Sequence, residues 1–226
     1  MIKLKTKFYN NKLKTKKYFK ILKYSKKFDK KFILKNFGLF LGDKTTFRFF
    51  SIFEIIKRIK LVKGDIVEFG VWNGNNLLVI KKISEYLNIN KDIIGYDHFQ
   101  GMPFSTDGNY FSGDKKLLEY FIKFFKFKKV KLIDDDFNNI NHYKKKIKKI
   151  SFAYVDCDLY EETLKILNFI DHKITKGGII AFDEALRNTK KGEAKALKEF
   201  YQTRKKKYKL IKRLKFYQPD ILLIRN

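Results

Sequence analysis

One cysteine, one tryptophan and two prolines stand among 226 residues. With Cys157 alone no internal disulfide framework can form, and a cytoplasmic protein is the expectation. No apolar run approaches the roughly 18 residues needed to cross a bilayer. The start, MIKLKTKFYNNKLKTKKYFK, has lysines throughout and lacks the apolar stretch of a secretory signal. Acidic residues are few, 24 against 52 lysines and arginines, so the formal net charge is +28. That balance suggests nucleic acid, an anionic membrane or an acidic substrate. Arginine, the better residue for bidentate phosphate or base contacts, is itself scarce. Lys, Asn, Ile, Phe and Tyr, which share AT-rich codons, are abundant together, so genome composition accounts for the charge equally well.

What remains is globular: 44% hydrophobic and 34% charged residues, in a length that suits one α/β domain. Residues 1 to about 36 are strongly basic, with aromatic and aliphatic residues interleaved. They predict amphipathic helices over a core, a partner subunit or a membrane surface. Phe49, Phe50, Phe53, Ile56 and Ile59 recur at helical spacing and predict one more helix. Residues 1–62 are therefore expected to be a basic helical extension, and 63–226 the main domain. From Gly64 onward, short apolar runs (DIVEFG, DIIGYD, KVKLID, SFAYVD, GGIIAFD) alternate with helical stretches. YKLIKRL and DILLIRN then predict a terminal hairpin. Such alternation implies a doubly wound, mostly parallel α/β sheet with right-handed crossovers.

Ligands of such sheets sit beyond the carboxyl ends of the strands. Glu68, Asp97, Asp134 to Asp136, Asp156 and Asp183 all fall there. Gly70 and Gly74 permit a tight turn after the first strand, and the helix beginning at Asn75 offers N–H groups to an anion. An ordinary strand-to-helix turn would look the same. Asp97 ends the second strand, where a ribose diol is commonly bound, although a turn aspartate is the alternative. In Asp134-Asp135-Asp136-Phe137 an acid, assigned to Asp135, could reach an adenine amino group while Phe137 stacks; helix capping explains these acids equally. Asp156, Asp183 and Glu184 would repel one another strongly unless a hard divalent cation such as Mg²⁺ joined them. Caps plus a salt bridge to lysine would also explain them. Asp158 with Glu161 has the spacing of a capping box.

Together VEFGVWNGN, YDHFQGMP, VDCDLYEET and GGIIAFDE followed by KGEAKALKEF resemble the macrocin O-methyltransferase (TylF/MycF-like) family. The pieces cover about residues 64 to 201 in order. The resemblance implies a Rossmann-like class I S-adenosylmethionine enzyme, metal-dependent, that methylates a sugar hydroxyl. Glu68, Gly70, Trp72, Gly74, Asn75, Asp97 and Asp135 would bind the cofactor. Asp156, Asp183 and Glu184 would hold Mg²⁺ or another divalent cation, with Asp156 and Asp183 catalytic. One departure stands out. The family's usual paired acid after the fifth strand is Asp-Asp, whereas here it is Asp183-Glu184. Leu159 occupies the place of the lysine base in catechol-type relatives, so no base is assigned; His98 is a candidate against a plain loop histidine.

The rivals are an RNA ribose methyltransferase and a non-catalytic basic module for polyanions or membrane. A base N-methyltransferase is disfavoured, since Asp156-Cys157-Asp158-Leu159-Tyr160 stands where a Pro-Pro-aromatic segment would. Expected partners are a small hydroxyl acceptor, a membrane touched through the basic N-terminus, and a second copy of the chain.

Overall fold

The computed structural model describes residues 29–36, 38, 43–102, 112–186, 192–213 and 218–226. The helices expected within residues 1–28 lie outside these. The chain forms two compact units, Met1–Thr46 and Phe47–Asn226. In the first, α1 (Lys30–Lys35) is capped by Asp29, whose carboxylate accepts the Phe32 N–H at 2.7 Å. The division falls earlier than residue 62 because Ile52, Ile55, Ile56 and Ile59, on and just after α2 (Asp43–Arg58), are core residues of the second unit.

That unit is a seven-stranded sheet in the order β3-β2-β1-β4-β5-β7-β6. The strands are β1 (Asp65–Phe69), β2 (Ile93–Asp97), β3 (Val130–Asp134), β4 (Ile150–Val155), β5 (Ile174–Phe182), β6 (Tyr208–Lys212) and β7 (Ile221–Arg225). β1 to β5 run parallel, and β7 is antiparallel to both β5 and β6. The expected hairpin is present, with its second strand inserted next to β5. Between the strands lie α3 (Asn75–Tyr86), α4 (Lys115–Phe124), a 3₁₀ helix (Phe137–Tyr143), α5 (Tyr160–Ile170) and α6 (Gly192–Gln202).

Strand alternation sorts the core onto two faces. Val67, Phe69, Ala153 and Val155 pack with α5, α6 and the 3₁₀ helix; Ile66, Phe152 and Tyr154 pack with α2, α3 and Leu118 of α4. Glu68 lies between Val67 and Phe69, so its side chain shares the second face. A strand buried on both sides should read as a near-continuous apolar run, and β4 (ISFAYV) does. A charged residue inside β1 is therefore a signal in itself. No described helix is long and apolar enough to cross a membrane.

Candidate active site

β1 has β2 on one side and β4 on the other, so the winding reverses there. The backbone ladder aligns the residues just past each strand end. Gly70 N–H donates to the Tyr96 carbonyl at 3.0 Å, Asp156 N–H to Phe69 at 2.9 Å, and Asp183 N–H to Val155 at 3.1 Å. Gly70, Asp156 and Asp183 thus stand side by side on one rim. A cleft of about 440 Å³ opens over them, within the roughly 300–1,000 Å³ of small-molecule sites. Gly70 is required: at φ +82° a Cβ would come 1.9 Å from the Asp156 carbonyl oxygen.

Glu68 is buried in the floor of this cleft. Asn76 Nδ2 donates to its Oε1 at 2.8 Å, while Glu68 Oε2 and Asn76 Oδ1 have no hydrogen-bond partner among the described residues. Burial pushes the Glu68 carboxyl up to about 8, against the Asn76 bond and the Arg48 charge, which pull it down. Gly74 is the N-cap of α3, and among the described residues no side chain caps that helix. Trp72 and Asn75 also line the cleft; Gly74 does not. Its φ of +77° turns the chain against Leu118 of α4.

Asp97 lines the cleft and braces the glycine turn. Its Oδ2 accepts the N–H groups of Val71 and Trp72 at 2.7 and 2.8 Å, and its Oδ1 that of Phe99 at 2.7 Å. Asp135 is turned away. Its carboxylate takes Asn139 Nδ2, the Tyr143 hydroxyl and the Asp136 N–H, each at 2.8 Å, which hold it below the usual carboxylate range. Asp136 and Phe137 occupy the cleft wall instead, with Phe137 stacked on Tyr96 at 5.0 Å between ring centres. The capping expectation for Asp158 fails as well. α5 starts at Tyr160 with Leu159 as N-cap, and Asp158 has φ +56° on the cleft wall.

The carboxylates meant for a metal are placed unevenly. Asp183 is buried and already held: Arg48 donates to Oδ1 at 2.9 Å and to Oδ2 at 3.2 Å, Tyr154 hydroxyl bonds to Oδ1, and Gln218 Nε2 to Oδ2. Arg48 also donates to Gln218 Oε1. The guanidinium thus supplies the positive charge that a cation was expected to bring. Asp156 makes no side-chain hydrogen bond among the described residues; burial, then Asp183 and Glu193, push its carboxyl well up. No three His, Cys, Asp or Glu side chains among those residues gather into a metal cage. Asp156, Asp183 and Glu184 share the cleft, and as placed they do not fit a metal ion.

Four contributors were not singled out from the sequence, although Glu193 lies within the KGEAKALKEF segment. Arg48 interrupts an apolar helix, and its only mark is the rarity of arginine. Tyr154 reads as an ordinary core aromatic, and Gln218 sits in a loop. Glu193, buried at the start of α6, accepts the Cys157 N–H at 3.0 Å and the Glu184 N–H at 3.4 Å, tying together the turns after β4 and β5. His98 also lines the cleft. Its Nδ1 accepts the Gln100 N–H at 3.2 Å.

The family model for macrocin-O-methyltransferase (TylF) matches residues 47–213. The solved structure of the calicheamicin methyltransferase CalS11 superposes with a TM-score of 0.74 at 25% identity, covering 95% of this chain and 91% of that one. Apo CalS11, a TDP-rhamnose 3'-O-methyltransferase, gives 0.70 at 28% identity over 95% and 93%. The O-methyltransferase NovP shares the fold, with a TM-score of 0.68 at 18% identity over 80% of each chain. No curated protein sequence matches. Because the family match takes in the glycine turn, every acidic strand end and α6, this chain belongs to the macrocin O-methyltransferase family and is an S-adenosylmethionine-dependent O-methyltransferase.

Proposed function

We propose that the chain methylates a hydroxyl of a sugar, with the methionine end of the cofactor seated on Glu68, Asn76 and the start of α3. The observation that carries this reading is the pair of buried, unpartnered acceptors, Glu68 Oε2 and Asn76 Oδ1, beside an uncapped helix N-terminus. Two acceptors suit an ammonium, and open N–H groups at the positive end of a helix suit a carboxylate. An amino acid carries both. The sugar acceptor is argued from the likeness to CalS11, which acts on TDP-rhamnose.

S-adenosylmethionine supplies a methyl group already activated on a sulfonium. What is left for the chain is alignment and removal of the hydroxyl proton. Asp156, as the ionised carboxylate, is the proton acceptor: it lines the cleft and its oxygens are uncommitted among the described residues. Arg48, Tyr154 and Gln218 keep Asp183 fixed beside it. Metal dependence would require Asp183 to exchange Arg48 and Gln218 for the ion.

The test is incubation with S-adenosylmethionine and nucleotide-linked deoxysugars, reading methyl gain by mass spectrometry. Asp156→Asn should lower turnover by roughly 10²- to 10⁴-fold. Binding of S-adenosylhomocysteine, read by thermal shift, should persist. Unchanged turnover would remove Asp156 from the role, and methylation of RNA but of no sugar would overturn the acceptor class.

A further inference from the structure

α4 carries two apolar stripes, and only one of them is used. Leu118 is buried and Ile122 packs beside it against the sheet. Leu117, Tyr120 and Phe124 recur at helical spacing on the outer side and are exposed, Phe124 at 63%. Just past the helix end, Phe125 meets Phe124 edge-on at 5.2 Å between ring centres. Lys82 of α3 lies 4.5 Å from the Phe125 ring, and Tyr86, one turn further along α3, is 78% exposed. An apolar stripe normally marks the face a helix buries. A second one left in solvent marks a surface that meets something else.

The charge around it selects the partner. Residues 115–131 contain seven lysines and one acid, Glu119. Lys115 and Lys131 are paired with Asp134 and Asp92. Lys116, Lys123, Lys126, Lys128 and Lys129 are exposed and make no ion pair among the described residues. A second copy of a +28 chain would bring lysines against lysines, so self-association through this face is opposed by charge. Single-stranded RNA would need rings free to receive bases. Here the rings are spent on one another, Tyr120 stacked on Phe124 and Phe121 on Phe125 at 24° and 17°. Aromatic and leucine side chains tiled together and rimmed by unpaired lysines match the water–lipid boundary of an anionic bilayer.

We propose that the outer face of α4, with Phe125 and Tyr86, docks the protein on an anionic membrane surface. This holds whatever the acceptor is, because no residue of α4 lines the cleft in which methyl transfer is placed. The full chain is sedimented with phosphatidylcholine vesicles, with and without a third of phosphatidylglycerol. Three proteins are compared: wild type, a Tyr120→Ser/Phe124→Ser/Phe125→Ser variant, and Lys205→Glu/Lys206→Glu, which alters charge near β6 at the opposite edge of the sheet. Binding only to the anionic vesicles is expected, weakened about tenfold or more by the triple substitution. It should survive in the charge variant, and the melting temperature of the triple variant should stay close to wild type. Absence of wild-type binding would overturn the proposal. So would equal binding by the triple variant, which would reduce the effect to bulk lysine charge. Loss of a dimer, or of RNA binding, in the triple variant without any vesicle binding would assign the face to those partners instead.

Discussion

At Glu68 the strand pattern, burial and function pull in different directions. Its folded-state value near 8 lies well above the 4.5 of an exposed glutamate, so ionisation costs the folded protein. With the site empty, stability should therefore decline as pH rises through that window, and Glu68→Gln should flatten the decline. A bound ammonium reverses the preference. Binding of S-adenosylhomocysteine should then release a proton near neutrality and tighten from pH 6 to 8, levelling off above. Calorimetry in buffers of different ionisation enthalpy reads the proton directly; binding enthalpies independent of buffer would refute the link. Arg48 makes a second residue-scale case. Replacing it by Met leaves Asp183 buried without its cation, which should cost about 3 kcal/mol of stability. It should also raise the affinity for Mn²⁺, read by electron paramagnetic resonance, since the guanidinium no longer competes for Asp183. An unchanged affinity would mean that Arg48 and the metal ion do not share this carboxylate.

Among the elements, the turns after β4 and β5 are tied to α6 by the Glu193 carboxylate. Glu193→Ala would leave two N–H groups, of Cys157 and Glu184, without their acceptor, at a cost of roughly 2–3 kcal/mol. Turnover should fall more than cofactor binding, because these turns carry Asp156 and Asp183; equal losses would make Glu193 merely structural. This dependence also shows where sequence reading stops. The strands, their order of appearance and the acids at their ends were legible, because apolar runs and strand-end acids are local patterns. Which acid faces the cleft was not. Asp135 and Asp136 are adjacent and chemically alike, and only the bonds from Asn139 and Tyr143 decide that Asp135 turns into the 3₁₀ helix. Arg48 and Gln218 are 170 residues apart in the chain and become one cluster with Asp183 only through tertiary packing. Asp158 followed a capping rule, but its left-handed backbone moved the helix start past it.

For the molecule as a whole, +28 sets a background against which each local effect acts. Self-repulsion of that size should be relieved by screening, so the melting temperature should rise between 50 and 300 mM salt. A flat or falling response would show that the lysines are compensated locally. The order of the sheet carries a temporal consequence as well. β5 takes its outer neighbour from β7, not from β6, which the ribosome delivers first. Until Ile221–Arg225 has emerged, the buried edge Ile179–Phe182 stands open and β6 has no place to dock. During synthesis that edge is a sticky template for any passing strand, and the nascent chain has most to gain from a chaperone in that interval.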